Sequence, residues 1–203
     1  MAALLNPWDS RYGQDGFYYG TEPNDFLVEQ SRRIPAGGRV LCLAEGEGRN
    51  AVYLAGQGFR VLAVDGSKVG LAKAKKLASD RGVEIETVLA DLSEFDFERE
   101  AYDAVVSIWC HLPPALRTTI HARSIEALKT GGVLILEAYR PKQLEYKTGG
   151  PPVPELMMTR EILAQDFTAL ASLVLEEKDR MIHEGRGHEG LSAVVQFVGV
   201  KQT

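Results

Sequence analysis

The residues able to do chemistry gather in a few short stretches of this chain. Two glutamates alternate with two glycines in Glu45-Gly46-Glu47-Gly48, with Arg49 and Asn50 directly after. Asp65 stands nineteen residues beyond Gly46 and is followed by Gly66 and Ser67; Asp91 precedes Leu92; and Ile108-Trp109-Cys110-His111 closes an apolar run. Glycines allow a backbone to approach a ligand with no Cβ in the way, and a carboxylate at the spacing of Asp65 can accept hydrogen bonds from both hydroxyls of a ribose. Tyr139-Arg140 ends another apolar run, and His183, Arg186 and His188 lie in a glycine-rich stretch with Glu184 and Glu189 beside the two histidines. Histidine is the side chain best suited to proton transfer near neutral pH. A neighbouring carboxylate either favours its imidazolium form or orients the neutral ring. No spacing suggests a metal site; Cys42 and Cys110 stand singly in apolar runs and read as buried free thiols of a reducing compartment.

These residues must be positioned by the elements around them. From residue 39 onward β-rich apolar runs alternate with helical patterns, the order of an α/β sheet. Strands are expected at 39–44, 59–64, 84–89, 102–109 and 133–139, with the third and fourth in the sheet interior. Helices are expected at 24–33, 49–55, 67–81, 113–128 and 159–167. Thr21 is a candidate cap and Pro23 a first-turn residue for the helix at 24–33, and Gly131 and Gly132 should stop the one at 113–128. Residues 140–158 read as a loop. A sixth strand at 172–177, extended over 180–183, turns through 184–190 into a seventh at 192–200, so the last two should pair antiparallel. The predicted architecture is a three-layer Rossmann-like sandwich with a seven-stranded, mostly parallel sheet and an antiparallel last strand. It forms one domain over 1–203, with 1–38 an N-terminal helical or lid segment and 39–203 the core. Trp8, Phe17, Tyr18 and Tyr19 fit either a lid or ordinary core. The turns after strands one to four fall where an open α/β sheet binds its ligand.

Composition narrows the partner. The 203 residues carry 23 Lys and Arg against 28 Asp and Glu, a formal charge of −5. That balance lacks the cationic footprint of a nucleic-acid or anionic-membrane binder and favours a small molecule. The start of the chain has neither a basic leader nor a membrane span, so a cytoplasmic protein is expected, and no unusually apolar surface helix demands a partner chain.

Residues 46–51 fit a dinucleotide-binding turn, GxGxx(G/A), which keeps a nicotinamide or flavin enzyme open. Charge argues otherwise: Glu45 and Glu47 would repel a pyrophosphate and welcome a cationic ligand, and S-adenosylmethionine carries both a sulfonium and an ammonium. The WDSRYG and YYGTEPNDFL segments, the LAEGEGRN loop, Asp65, the LADL turn, the YDAVVSIWCHLPP run, TGGVLILEAY and the HEGRGHEG hairpin, in this order, resemble the class I S-adenosylmethionine-dependent methyltransferases. Within that class the chain is similar to the small single-domain branch related to tellurite-resistance and thiol methyltransferases. The resemblance implies that residues 45–48 lie beside the methionine part of the cofactor, Asp65 on the ribose, and Asp91 with Leu92 against the adenine. Asn50, Gly66, Ser67 and Ile108 complete the expected cofactor site. The chain departs from the family at Cys42 and Ala44, where an acid and a glycine are usual, and Glu45 is the candidate replacement carboxylate. The expected reaction is methyl transfer to a small molecule, a thiol or a selenium or tellurium oxyanion. Candidate catalytic residues are His111, Tyr139, Arg140, His183 and His188. A nicotinamide-dependent oxidoreductase and a non-catalytic cofactor-binding module are the alternatives.

Overall fold

Seven strands form one sheet in the computed structural model, which describes residues 6–202. They are β1 (Arg39–Leu43), β2 (Arg60–Asp65), β3 (Glu86–Leu89), β4 (Tyr102–Ile108), β5 (Leu128–Tyr139), β6 (Leu170–Glu184) and β7 (His188–Lys201), in the spatial order β3-β2-β1-β4-β5-β7-β6. The first five pair in parallel, and β7 runs antiparallel to both its neighbours. The helices are α1 (Pro7–Tyr12), α2 (Asp25–Gln30), α3 (Arg49–Gly56), α4 (Lys68–Asp80), α5 (Pro114–Ala127), α6 (Gln143–Tyr146) and α7 (Arg160–Asp166).

Alternation along each strand builds the three layers. Leu41 and Leu43 of β1 and Leu134 and Leu136 of β5 point into a core shared with Ile120 of α5 and Leu163 of α7. Val40, Cys42 and Ile135 point the other way, onto Leu27 of α2 and Leu54 of α3. Both faces are covered, which is why the central strands are apolar throughout. Cys42 and Cys110 are buried free thiols; burial and the nearby Asp65 push the Cys110 thiol up to about 12. No helix among the described residues is long and apolar enough to cross a membrane.

Several sequence expectations require correction. Helix α2 is capped by Asn24, whose side chain accepts the Leu27 amide at 3.0 Å, so Thr21 and Pro23 lie outside it. Strand β3 is the sheet edge, not an interior strand, and its residues are half-buried or exposed. Gly131 and Gly132 do not end α5. That helix stops at Ala127 and Leu128 pairs at once with Tyr102; the glycines occupy an irregular stretch of β5 before Val133 meets Ala104. Strand β6 is continuous over fifteen residues, and a short 3-10 turn at Gly185–Gly187 suffices to reverse it into β7. The stretch 140–158 contains α6 and a 3-10 turn at Pro154–Leu156.

Candidate active site

The winding of the sheet reverses between β1 and β4, the position at which an open α/β sheet gathers its ligand. The residues just after these two strands, Ala44 (φ 49°) and Trp109 (φ 58°), both hold left-handed backbone without being glycine. Such strain persists where the surroundings enforce it, commonly at a working site. A cavity of about 550 Å³ opens here, with Glu45, Asp65, Ile108 and Trp109 from the strand ends, Tyr12, Tyr18 and Tyr19 from the N-terminal segment, and His188 from the start of β7. Of the aromatic residues in the N-terminal segment, Trp8, Tyr12, Tyr18 and Tyr19 line the cavity, Phe17 packs against Val52, Leu77 and Ala78, and Tyr12 is as buried as a core residue.

The carboxylates in this cavity are already engaged. Asp65 accepts the Gly46 amide at 2.8 Å on one oxygen and the Ser67 amide at 2.7 Å on the other. Burial raises its pKa while those two bonds oppose the rise, and each oxygen keeps a lone pair for a ligand hydroxyl. Glu45 accepts the Ala51 amide at 2.7 Å and so caps α3, whose own N-cap is Gly48 and has no side chain to give; burial pushes its carboxyl up to about 7. Glu47 is buried and accepts the amides of Tyr18 (2.7 Å) and Tyr19 (3.2 Å), with the Lys73 ammonium at 3.0 Å. Its charge thus holds the backbone at Tyr18 and Tyr19 instead of standing free for a cationic ligand. The glycines serve the protein's own packing as well. Gly46 (φ 61°) has room for no Cβ because the Tyr12 hydroxyl would lie 2.6 Å from it, and one on Gly48 (φ 90°) would lie 2.5 Å from the Cβ of Ala74.

Among the other expected cofactor residues, Asn50 and Ile108 line the cavity. Gly66 receives the Asn6 side-chain amide on its carbonyl at 2.6 Å, and Ser67 caps α4 while donating to Asp9. Asp91 and Leu92 do not line the cavity. Asp91 is exposed and caps a turn by accepting the amide and hydroxyl of Ser93, which hold its carboxyl below the usual range, and Leu92 packs in the core.

Below the cavity lies a buried polar cluster. Glu184 accepts Nη2 of Arg49 and Nε1 of Trp109, both at 2.6 Å, and the Asn24 side-chain amide at 2.8 Å. The same Asn24 amide donates to Glu137 at 2.6 Å, and Glu137 also takes a two-point contact from Arg180 and a bond from Gln196. Charge-assisted contacts of this kind are the strong ones. Burial alone would raise the Glu184 carboxyl, but Arg49, His188 and Trp109 together hold it well below the usual range.

The expected catalytic side chains separate into three groups. His188 lines the cavity, with Nδ1 3.4 Å from Glu184 and no partner at Nε2 among the described residues. Burial lowers its pKa against the pull of Glu184, so near pH 7 the ring is neutral and is oriented by the carboxylate, not charged by it. His111 also lines the cavity, but Nε2 accepts the Tyr139 amide at 3.0 Å, which leaves Nδ1 as donor to the Trp109 carbonyl at 3.1 Å. With both nitrogens occupied and burial driving its pKa down to about 4, it locks β4 to β5 and has no site at which to take a proton. Tyr139 is fully buried under the Trp109 ring, with centroids 4.4 Å apart. Arg140 and His183 are drawn elsewhere: Arg140 binds Asp179 at 2.5 Å, and His183 is exposed on the hairpin beside Glu189 at 2.6 Å.

Sequence reasoning missed Asn24, Glu137 and Arg180. The signals were there: a single glutamate inside the apolar run VLILEAY, and an arginine at an inward position of β6, call for each other once the strands are neighbours.

Residues 40–132 match a family described as a methyltransferase domain. The glycine/sarcosine N-methyltransferase of Halorhodospira halochloris is 33% identical over 139 residues, which is 66% of this chain and 48% of that protein. The chain thus spans about half the length of the curated relatives it matches. Among solved structures, one studied for the conversion of a disulfide bond into a thioacetal group during echinomycin biosynthesis superposes with a TM-score of 0.76 at 17% identity, over 96% of this chain and 90% of that one. TehB from Haemophilus influenzae superposes with a TM-score of 0.72 at 19% identity, over 96% and 66% respectively. Residues 46–51 lie within the stretch that matches the methyltransferase domain.

Proposed function

We propose that this chain is a class I S-adenosylmethionine-dependent methyltransferase, a reading supported by the methyltransferase-domain match over residues 40–132, the relatives and the fold, and that it transfers a methyl group to a small nucleophilic acceptor held against His188. The observation that carries the reading is one cavity holding both the Asp65 carboxylate at the end of β2 and an imidazole whose Nε2 is open while its Nδ1 faces a buried carboxylate. The residues suit the cofactor: Asp65 has lone pairs left for two hydroxyls, Ile108 offers an apolar wall, and Tyr12, Tyr18 and Tyr19 close over the strand ends. Bound S-adenosylmethionine supplies an activated methyl group on a sulfonium.

The protein's task is then to orient, to exclude water and to move one proton. Glu184 fixes the His188 tautomer by receiving Nδ1–H, and Nε2 takes the proton of the acceptor as its heteroatom becomes nucleophilic. A thiol is the acceptor that uses this base best; a selenium or tellurium oxyanion arrives already deprotonated and would need it less. The lid, anchored through Glu47, keeps bulk water away. We read the protein as a cytoplasmic enzyme of a small molecule that works without nucleic acid, consistent with its net charge of −5.

Methyl transfer from labelled cofactor to a panel of simple thiols, selenite and tellurite tests the activity, and a panel in which nothing is methylated overturns the acceptor class. Asp65→Ala should abolish binding of S-adenosylhomocysteine; affinity within twofold of the parent would remove Asp65 from the site. His188→Asn should lower kcat by about 100-fold, the smaller end of what a general base contributes, with the affinity for S-adenosylhomocysteine retained.

A further inference from the structure

Two cationic side chains line the cavity, Arg49 and Arg11. Arg49 is committed to Glu184. Arg11 is not: among the described residues no carboxylate lies within ion-pairing distance of it. Its guanidinium donates to the Tyr19 hydroxyl at 2.8 Å and lies 4.7 Å from the centre of the Trp8 ring and 5.3 Å from that of Tyr18. Arg186 approaches the same Tyr18 ring at 5.4 Å, and it too has no carboxylate partner among the described residues; its side chain donates to the Asp15 carbonyl. None of the three carboxylates of the cavity pairs with it: Glu45 and Asp65 face backbone amides and Glu47 faces backbone amides and Lys73. Aromatic rings hold the guanidinium in place without neutralising it, and its planar fork is the geometry that receives a two-oxygen anion.

Tyr19 also fixes where that anion would sit. Its hydroxyl meets Arg11, and its ring lies 4.5 Å from the His188 ring. The free guanidinium and the open imidazole are therefore separated by a single tyrosine ring. We propose that Arg11 receives a carboxylate or equivalent oxyanion of the acceptor, so that the substrate is a short bifunctional molecule with an anionic group at Arg11 and its methyl-accepting atom at His188. This rests on the methyltransferase reading above and specifies the acceptor. The cofactor also carries a carboxylate, so the experiment must tell the two sources apart.

Two thiols of similar length, 3-mercaptopropionate and 2-mercaptoethanol, differ in whether they carry the anion. Their binding to the protein saturated with S-adenosylhomocysteine can be followed by thermal shift and calorimetry, readouts that need no turnover. The expected result is at least ~10-fold tighter binding of 3-mercaptopropionate, the scale of one charge-assisted contact. Arg11→Met should collapse that preference towards one, with S-adenosylhomocysteine affinity held within about twofold, and Arg11→Lys should restore part of it. Equal binding of the two thiols, binding of neither, or a preference that survives in Arg11→Met overturns the proposal. Loss of S-adenosylhomocysteine affinity in Arg11→Met also overturns it, by assigning the arginine to the cofactor's own carboxylate. If 3-mercaptopropionate binds through Arg11 yet no acceptor is methylated, the anion site stands and the reaction assigned above falls.

Discussion

Replacing Glu184 by glutamine removes one charge from the centre of the buried cluster while keeping the shape of the side chain. The amide oxygen can still accept from Trp109, but the NH2 that replaces the other carboxylate oxygen cannot accept from Asn24, and Arg49, itself buried, loses its counter-ion. Removing one partner of a buried ion pair costs about 3–5 kcal/mol. For a chain of this size each kcal/mol moves the midpoint by about 2–4 °C, so Glu184→Gln should melt about 6–20 °C below the parent at pH 7. The pH dependence has a definite sign. The Glu184 carboxyl is depressed in the folded protein, so its contribution is complete above the unfolded value of 4.5 and fades as the pH falls below it. The gap between parent and variant should therefore be constant from pH 8 to about 5 and narrow from there to about 3.5. Adding Arg49→Met to Glu184→Gln should recover much of the loss, since the orphaned charge is then gone. Thermal unfolding followed by circular dichroism across this range decides it. A variant within about 2 °C of the parent at pH 7, or a gap that widens in acid, would refute the view that Arg49 depends on this carboxylate.

His111→Ala leaves the Tyr139 amide without its partner, while the Trp109 carbonyl keeps the backbone amide of residue 111, and should lower stability by about 1–3 kcal/mol; an unchanged melting temperature would show that the imidazole does not hold Tyr139 of β5 to the turn after β4. His183→Ala removes only an exposed pair and should change stability by less than about 1 kcal/mol by denaturant titration. Gly48→Ala must fit a Cβ 2.5 Å from that of Ala74 at φ 90° and should lose about 1–3 kcal/mol. A neutral result there would mean that α3 and α4 can part freely.

The seven strands and the antiparallel pairing of the last two follow from features plain in the sequence: unbroken apolar runs, glycines between them, and a hairpin marked by EGRGHEG. Which residues surround the cavity is legible only in part. The turns after β1, β2 and β4 lie where the sheet topology requires, so Glu45, Asp65 and Ile108 could be named in advance. Their partners could not. Glu47 looked like a ligand for a cation because the N-terminal residues that use it, Tyr18 and Tyr19, are 29 and 28 residues away in the chain and carry no periodic pattern. His111 looked like a base because its burial and its two hydrogen bonds depend on how β4 and β5 align. Asp91 follows a strand end like Asp65, but β3 is an edge strand and its turn faces solvent. In each case the missing information was a contact between segments distant in sequence.

The cluster beneath the cavity also bears on how the molecule is assembled. Asn24, Arg49, Trp109, Glu137, Arg180 and Glu184 come from five elements or turns spread along most of the chain, and β7 must enter between β5 and β6 before Glu137 meets Gln196. During synthesis, β1 to β5 can form and yet leave an open β5 edge, with the Glu137 carboxylate awaiting partners. Contacts of such long separation form slowly, and an unpaired strand edge is a template for other chains. The rate at which the β6–β7 hairpin closes should thus govern how much of the newly made protein escapes aggregation, and substitutions in the Gly185–Gly187 turn should affect yield in the cell before they affect the stability of the finished molecule.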